Sequence, residues 1–244
     1  MDAPPPPPPI DAQEFDFSCM GTPDPTTAND PITAAGSTQE ITMNGPVAKG
    51  NVAIDIFKAG VANALSSVVS DGNGDFVSGA LATEGQAFNG FIQGIALNGQ
   101  GQPDPAYRAT FVFPPTPLQT NITNVPVLMV SAQLFGQLQI VTGPQNDAAN
   151  GALFVAITDC AGTPVPASLS VKRGENEVGT QFDLSLLSPQ AAGLFFVMNV
   201  PAGDVDVGAS FDNKTFRTHT VTSFKNENGR EAGAITTTVV RPGP

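Results

Sequence analysis

The sequence predicts an all-β fold class, two β-sandwiches in tandem, on three observations. Glycine (25) and proline (23) are spread along the 244 residues, 41% of residues are hydrophobic and only 13% are charged. That mixture suits many short strands joined by tight turns around real cores, and it leaves few windows for a long amphipathic helix. Apolar residues also alternate over short runs: Val52, Ile54 and Ile56, then Leu153, Val155 and Ile157, then Val205, Val207 and Ala209. Period two between Gly and Pro breaks marks half-buried strands. Finally, the pattern occurs twice, with about seven such runs per copy, which two sheets packed face to face would bury as a sandwich of roughly 100 residues.

The repeat is legible as four matches in the same order. G-P-V-A-K-G-N-V-A-I-D-I-F from Gly45 parallels G-T-P-V-P-A-S-L-S-V-K-R-G from Gly162, and N-G-D-F around Gly74 parallels A-G-L-F around Gly193. G-F-I-Q-G-I-A-L from Gly90 matches G-D-V-D-V-G-A-S from Gly203, and Y-R-A-T from Tyr107 matches F-R-T-H from Phe216. The spacing is 118 residues from Val47 to Val165 but 109 from Tyr107 to Phe216. The first copy thus carries an insertion late in the repeat, and the polar, turn-forming G-Q-G-Q-P-D-P at 99–105 is expected as a surface hairpin extension.

Taken in order, residues 1–37 read as a proline-rich spacer and extended segment. Six consecutive prolines favour a polyproline helix rising roughly 3.1 Å per residue, and both a stiff tether and an unimportant disordered tail remain open. The first sandwich is expected over 38–130 and the second over 150–244. Between them, at 131–149, Ser131 is placed to cap a short helix with Leu134, Phe135, Leu138 and Val141 at helical spacing, despite Gly136. Cys19 and Cys160 are the only cysteines. A bridge would close a loop of about 140 residues, stabilise by roughly 4–5 kcal/mol and imply an oxidising compartment; two buried free thiols are the alternative. Cys19 has charge nearby and no apolar run before it, so it is not read as lipid-modified.

The order P-V-x-x-x-x-V-x-I, D-G-N-G-D-F, a G-x-I/V strand and an aromatic-Arg strand resembles the carboxypeptidase regulatory-like domain, a transthyretin-like, Ig-like seven-stranded sandwich. The second copy, with G-L-F-F-V-M-N-V-P-A-G-D-V-D-V and T-T-T-V-V-R-P, is similar to the same family, especially its tandem examples in secreted proteins and lipoproteins of myxobacteria and related Gram-negatives. The resemblance covers residues 38–240 and implies two seven-stranded sandwiches, no catalysis and no cofactor. It also implies an extracytoplasmic setting: outer-membrane-anchored, periplasmic or secreted, with any membrane link made by an N-terminal lipid anchor outside this chain.

The candidate sites are few. S-D-G-N-G-D at 70–75 resembles the opening of a calcium loop. Counted from Asp71, however, position 6 is Phe76 rather than Gly and position 12 is Ala82 rather than an acid, so no metal is expected and the stretch is read as a hairpin turn. His219 is the single histidine. A hydrolase centred on it would need an oriented nucleophile, and no G-x-S-x-G elbow is present, so a strand residue beside Arg217 and Val221 is expected. A zinc site of four N or S ligands is out of reach with one His and two Cys. Phe111, Phe113, Pro114, Pro115 and Pro117 form an apolar cluster that either meets a protein or cell-envelope partner or covers the seam between the sandwiches. The net charge of -12, with ten unclustered Lys and Arg, argues against nucleic acid. No run approaches the eighteen apolar residues of a membrane-spanning helix. The expected function is a non-enzymatic structural or binding module of a bacterial surface lipoprotein or secreted protein. A carbohydrate-binding protein, or accessory domains supporting a hydrolase, is the alternative; the absence of Trp and the single Tyr107 speak against the former.

Overall fold

The structure is a computed structural model, and it describes residues 14–42, 45–143, 147, 149–187, 191–225 and 234–243. The proline run at 4–9 lies outside the described residues, as do 144–146 and 188–190.

The chain is mostly β. The first half holds β1 (Ala34–Thr42), β2 (Gly45–Ala48), β3 (Val52–Lys58), β4 (Ser66–Val69), β5 (Asp75–Val77), β6 (Gly90–Ala96), β7 (Thr110–Phe113) and β8 (Ile122–Met129). Helix α1 (Ala132–Thr142) follows. The second half holds β9 (Asn150–Ile157), β10 (Ser168–Arg173), β11 (Asn176–Glu177), β12 (Thr180–Asp183), β13 (Leu194–Pro201), β14 (Gly203–Phe211), β15 (Lys214–Thr215), β16 (His219–Ser223) and β17 (Ile235–Val240).

The two halves repeat one topology. In the first, β1 pairs antiparallel with β5 and parallel with β8; in the second, β9 pairs antiparallel with β13 and parallel with β17. The facing sheets correspond as well, since β4-β3-β6-β7 is matched by β11-β10-β14-β16. Each half has its own core. The first is built on Val52, Ile54, Ile56, Phe76, Val127 and Met129. The second is built on Leu153, Val155, Ile157, Val205, Val207 and Phe216. All nine alternating residues named above are buried, the most exposed being Ala209 at 5%.

What the sequence pattern does not show is that the halves share a sheet. Strand β17 pairs in parallel with β9 on one side and with β7 on the other, so an eight-stranded sheet runs β12-β13-β9-β17-β7-β6-β3-β4 through both halves. Its strands β9 and β13 are covered on both faces. Leu153 and Val155 face the second core, while Ala152 and Phe154 face a third apolar cluster with Phe135, Phe196 and Ile235. The uninterrupted apolar run L-F-F-V-M at 194–198 reflects this two-sided burial.

Helix α1 closes the third cluster. Ser131 Oγ accepts the Leu134 N–H at 3.2 Å, Gly143 caps the other end at φ 86°, and Phe135 is fully buried with Leu134 and Leu138 packed beside it. The expected helix is therefore present; the side chain of Val141 lies outside the described residues.

Residues 14–33 run as a strap across both halves. Phe15 and Phe17 pack on Phe211 in the second core, and the Asp16 carbonyl accepts the Cys160 N–H. Cys19 and Cys160 are disulfide-bonded, with Cα atoms 5.7 Å apart. Gly21 N–H donates to Gly243 O, and Asp24 holds Arg217 in a two-pronged ion pair. Further on, Thr27 and Ile32 bridge to Gln86 and Leu81 in the first half, and β1 begins at Ala34.

Candidate functional site

A cavity lies at the seam between the halves. It measures about 460 Å³ and is walled by β7, β8 and the Pro114–Pro115 turn on one side and by β9, β17 and Leu184 on the other. No lining residue is charged. The two threonine hydroxyls on the β17 wall are engaged with main chain: Thr237 Oγ1 donates to Phe111 O at 3.4 Å and Thr238 Oγ1 to Phe113 O at 3.2 Å. Exposed Thr123, Asn124 and Pro126 form a rim on β8.

This cavity gathers part of the proline and phenylalanine cluster read from the sequence. Phe113, Pro114 and Pro115 line it. Phe111 is 6% exposed and does not line the cavity; it is stacked on Phe224 with centroids 3.7 Å apart, so it is no part of an open patch. Phe91 stacks on both Phe57 and Phe113 in the same aromatic ladder. Pro117 is half-buried and does not line the cavity.

Asp71 is engaged in a turn. Its Oδ1 accepts the N–H groups of Asn73 and Asp75, both at 2.9 Å, while Gly74 takes φ 88°. The arrangement recurs twice. Asn98 Oδ1 accepts from Gln100 and Gln102 with Gly101 at φ 73°, and Asp159 Oδ1 accepts from Ala161 and Thr163 with Gly162 at φ 89°. An amide serves as well as a carboxylate, because the side chain's task is to accept backbone N–H bonds. Asp159 is 2% exposed, and its Oδ2 also accepts the Asp16 N–H from the strap. Burial pushes its carboxyl up, but the N–H bonds from Asp16, Thr163 and Ala161 and the Thr163 hydroxyl together hold it below the ordinary value.

His219 opens β16, opposite Val207, with Val221 buried two residues on and Arg217 two residues before. Burial, then the Arg217 charge, lower its pKa to about 4 against a smaller opposing effect of Asp24, so it is neutral at pH 7. Its Nε2 has no hydrogen-bond partner among the described residues. The arginine at the matching place in the first copy, Arg108, is 9% exposed beneath α1, with its guanidinium 4.5 Å from the Phe135 ring centroid. Burial lowers its pKa to about 10, and Nε and Nη1 have no partner among the described residues. One repeated arginine thus meets two coverings, the strap at Arg217 and the helix at Arg108. Sequence reading identified neither the seam cavity nor the buried Arg108, although the repeated aromatic-Arg pair marks the latter's place.

No family model matches the chain, and no curated protein matches its sequence. Among solved structures, it is similar to the Bacillus anthracis TIE protein (12% identity, TM-score 0.27, 87% of this chain and 35% of that one) and to a streptococcal ancillary pilin (9% identity, TM-score 0.26, 89% and 64%). A third is GBS52, the minor pilin of Streptococcus agalactiae (10% identity, TM-score 0.25, 87% and 97%). The chain spans about a third and about two thirds, respectively, of the first two. Likenesses at these scores carry no argument about what this chain does.

Proposed function

We propose that the protein is a non-enzymatic, extracytoplasmic structural module, a pair of carboxypeptidase regulatory-like sandwiches carried by a secreted protein or surface lipoprotein of a Gram-negative bacterium. The observation that carries this reading is the way the halves are locked together by the shared strand β17 and by the disulfide-anchored strap. A disulfide fits folding in an oxidising compartment. Asp71, Asp159 and Arg217 are engaged in turns and the strap, which favours scaffolding over catalysis.

The test has two arms. Fractionation of the source organism should recover the protein in the envelope or the medium, with Cys19 and Cys160 protected from alkylation until reduction. The purified full chain, screened on a broad hydrolase panel and a glycan array, should show no turnover that His219→Ala abolishes and no saturable glycan binding. Recovery from the cytoplasm with free thiols overturns the setting, and either activity overturns the function.

A further inference from the structure

We infer that the seam cavity is a binding site for the hydrocarbon chain of an anionic single-chain amphiphile, a long-chain fatty acid. This stands independently of the scaffold reading. At about 460 Å³ the cavity falls within the range of small-molecule sites and is about three times the ~150 Å³ apolar void that stays dry and takes up benzene. Its interior offers no charge, and the hydroxyls of Thr237 and Thr238 are already engaged with main-chain carbonyls, so a polar occupant would lose hydration without compensation. A hydrocarbon loses nothing there and gains burial. The walls draw on both halves, with Leu81 and Phe88 from the first and Leu184 and Leu194 from the second, all of them hydrocarbon surfaces.

The charge at the rim selects the headgroup. Arg241 lies two residues beyond the wall residue Val239, and its Nη2 is 3.4 Å from Thr116 Oγ1, next to the wall residue Pro115. The ion pairs among the described residues are Lys172–Glu177, Lys214–Asp212 and Arg217–Asp24, so Arg241 has no carboxylate partner there. On a chain of net charge -12, a cation with no carboxylate partner among the described residues, beside an uncharged cavity, is complementary to a carboxylate headgroup.

The experiment uses the full chain, stripped of lipid on a hydrophobic resin and titrated calorimetrically with hexadecanoic acid and, separately, hexadecanol. One acid per chain is expected, bound more tightly than the alcohol. Ala156→Trp fills the cavity from the β9 wall and should abolish binding; Leu128→Phe, from the β8 wall, should do the same if the first variant fails to fold. Arg241→Gln should weaken the acid several-fold, in line with an exposed ion pair, and leave the alcohol unchanged. No binding by the parent chain, or unchanged binding in a folded cavity-filling variant, overturns the site. Equal affinity for acid and alcohol overturns the headgroup assignment. Sedimentation showing a dimer that a filling variant dissolves would assign the cavity to a second copy of the chain and also overturn the proposal.

Discussion

At the scale of single residues, most polar side chains with a defined partner hold backbone in place. Asp159 is the clearest case, since it closes a turn with one oxygen and receives the strap with the other. Asp159→Ala should cost about 2–3 kcal/mol, the range for removing a charged acceptor from buried donors, measured by urea denaturation. A carboxyl held below its ordinary value contributes stability that is present above the unfolded-state pKa and lost as pH falls through the lower folded value, so the variant should also flatten the acid limb of the stability profile. His219 acts in the same direction from the opposite chemistry. With a folded pKa of about 4 against 6.5 unfolded, it binds its proton more readily when unfolded, so stability should fall between pH 6.5 and pH 4 and level off below. The full effect is on the order of 3 kcal/mol. His219→Gln should remove that slope in pH-dependent melting curves; an unaltered slope would show that other groups cause it.

At the scale of elements, α1 and β17 do the joining. Helix α1 carries Gly136 at a position where an added Cβ meets nothing within 4 Å. Gly136→Ala should therefore stabilise by about 0.5–1 kcal/mol, read as a raised urea midpoint, and a lowered midpoint would mean that the site is tighter than it looks. Under the same helix Arg108 is buried, and two of its nitrogens have no partner among the described residues. Replacing a buried charge by an apolar side chain of similar length is often neutral or stabilising, so Arg108→Met should leave the midpoint equal or higher. Strand β17 is short, yet it completes the first sheet of the second half and extends the second sheet of the first. Its threonines fit that double role, since branched side chains suit a pleated surface, the Thr237 and Thr238 hydroxyls donate to the carbonyls of β7 and the Thr236 hydroxyl donates to Thr222 O of β16.

At the scale of the whole molecule, the shared sheet and the strap predict coupled unfolding. Calorimetry of the oxidised chain should give one transition, because losing β17 strips an edge from both halves; two resolved transitions would show that the sandwiches melt independently. Reduction of Cys19–Cys160 frees a strap that closes a separation of 141 residues, and it should lower stability by about 5 kcal/mol on the chain-entropy account. An oxidised and a reduced sample with the same melting temperature would place the strap's hold in the Asp24–Arg217 pair and the Phe15–Phe211 contact instead.

By itself the sequence determined the local features: the alternating strands, the duplicated order, the Asx-Gly turns and the Ser131-capped helix. Each depends on neighbours a few residues apart, through side-chain period, positive φ at glycine or a cap bond. Only the tertiary structure decided that β17 would join two sheets, that Phe111 would stack on Phe224 rather than line the cavity with Pro114 and Pro115, and that a hydrocarbon-lined cavity would form at the seam. Those outcomes rest on long-range pairings, Ile235 with Ala152 and with Thr110, where a threonine-rich strand finds two partners, and strand propensity does not encode which edges meet.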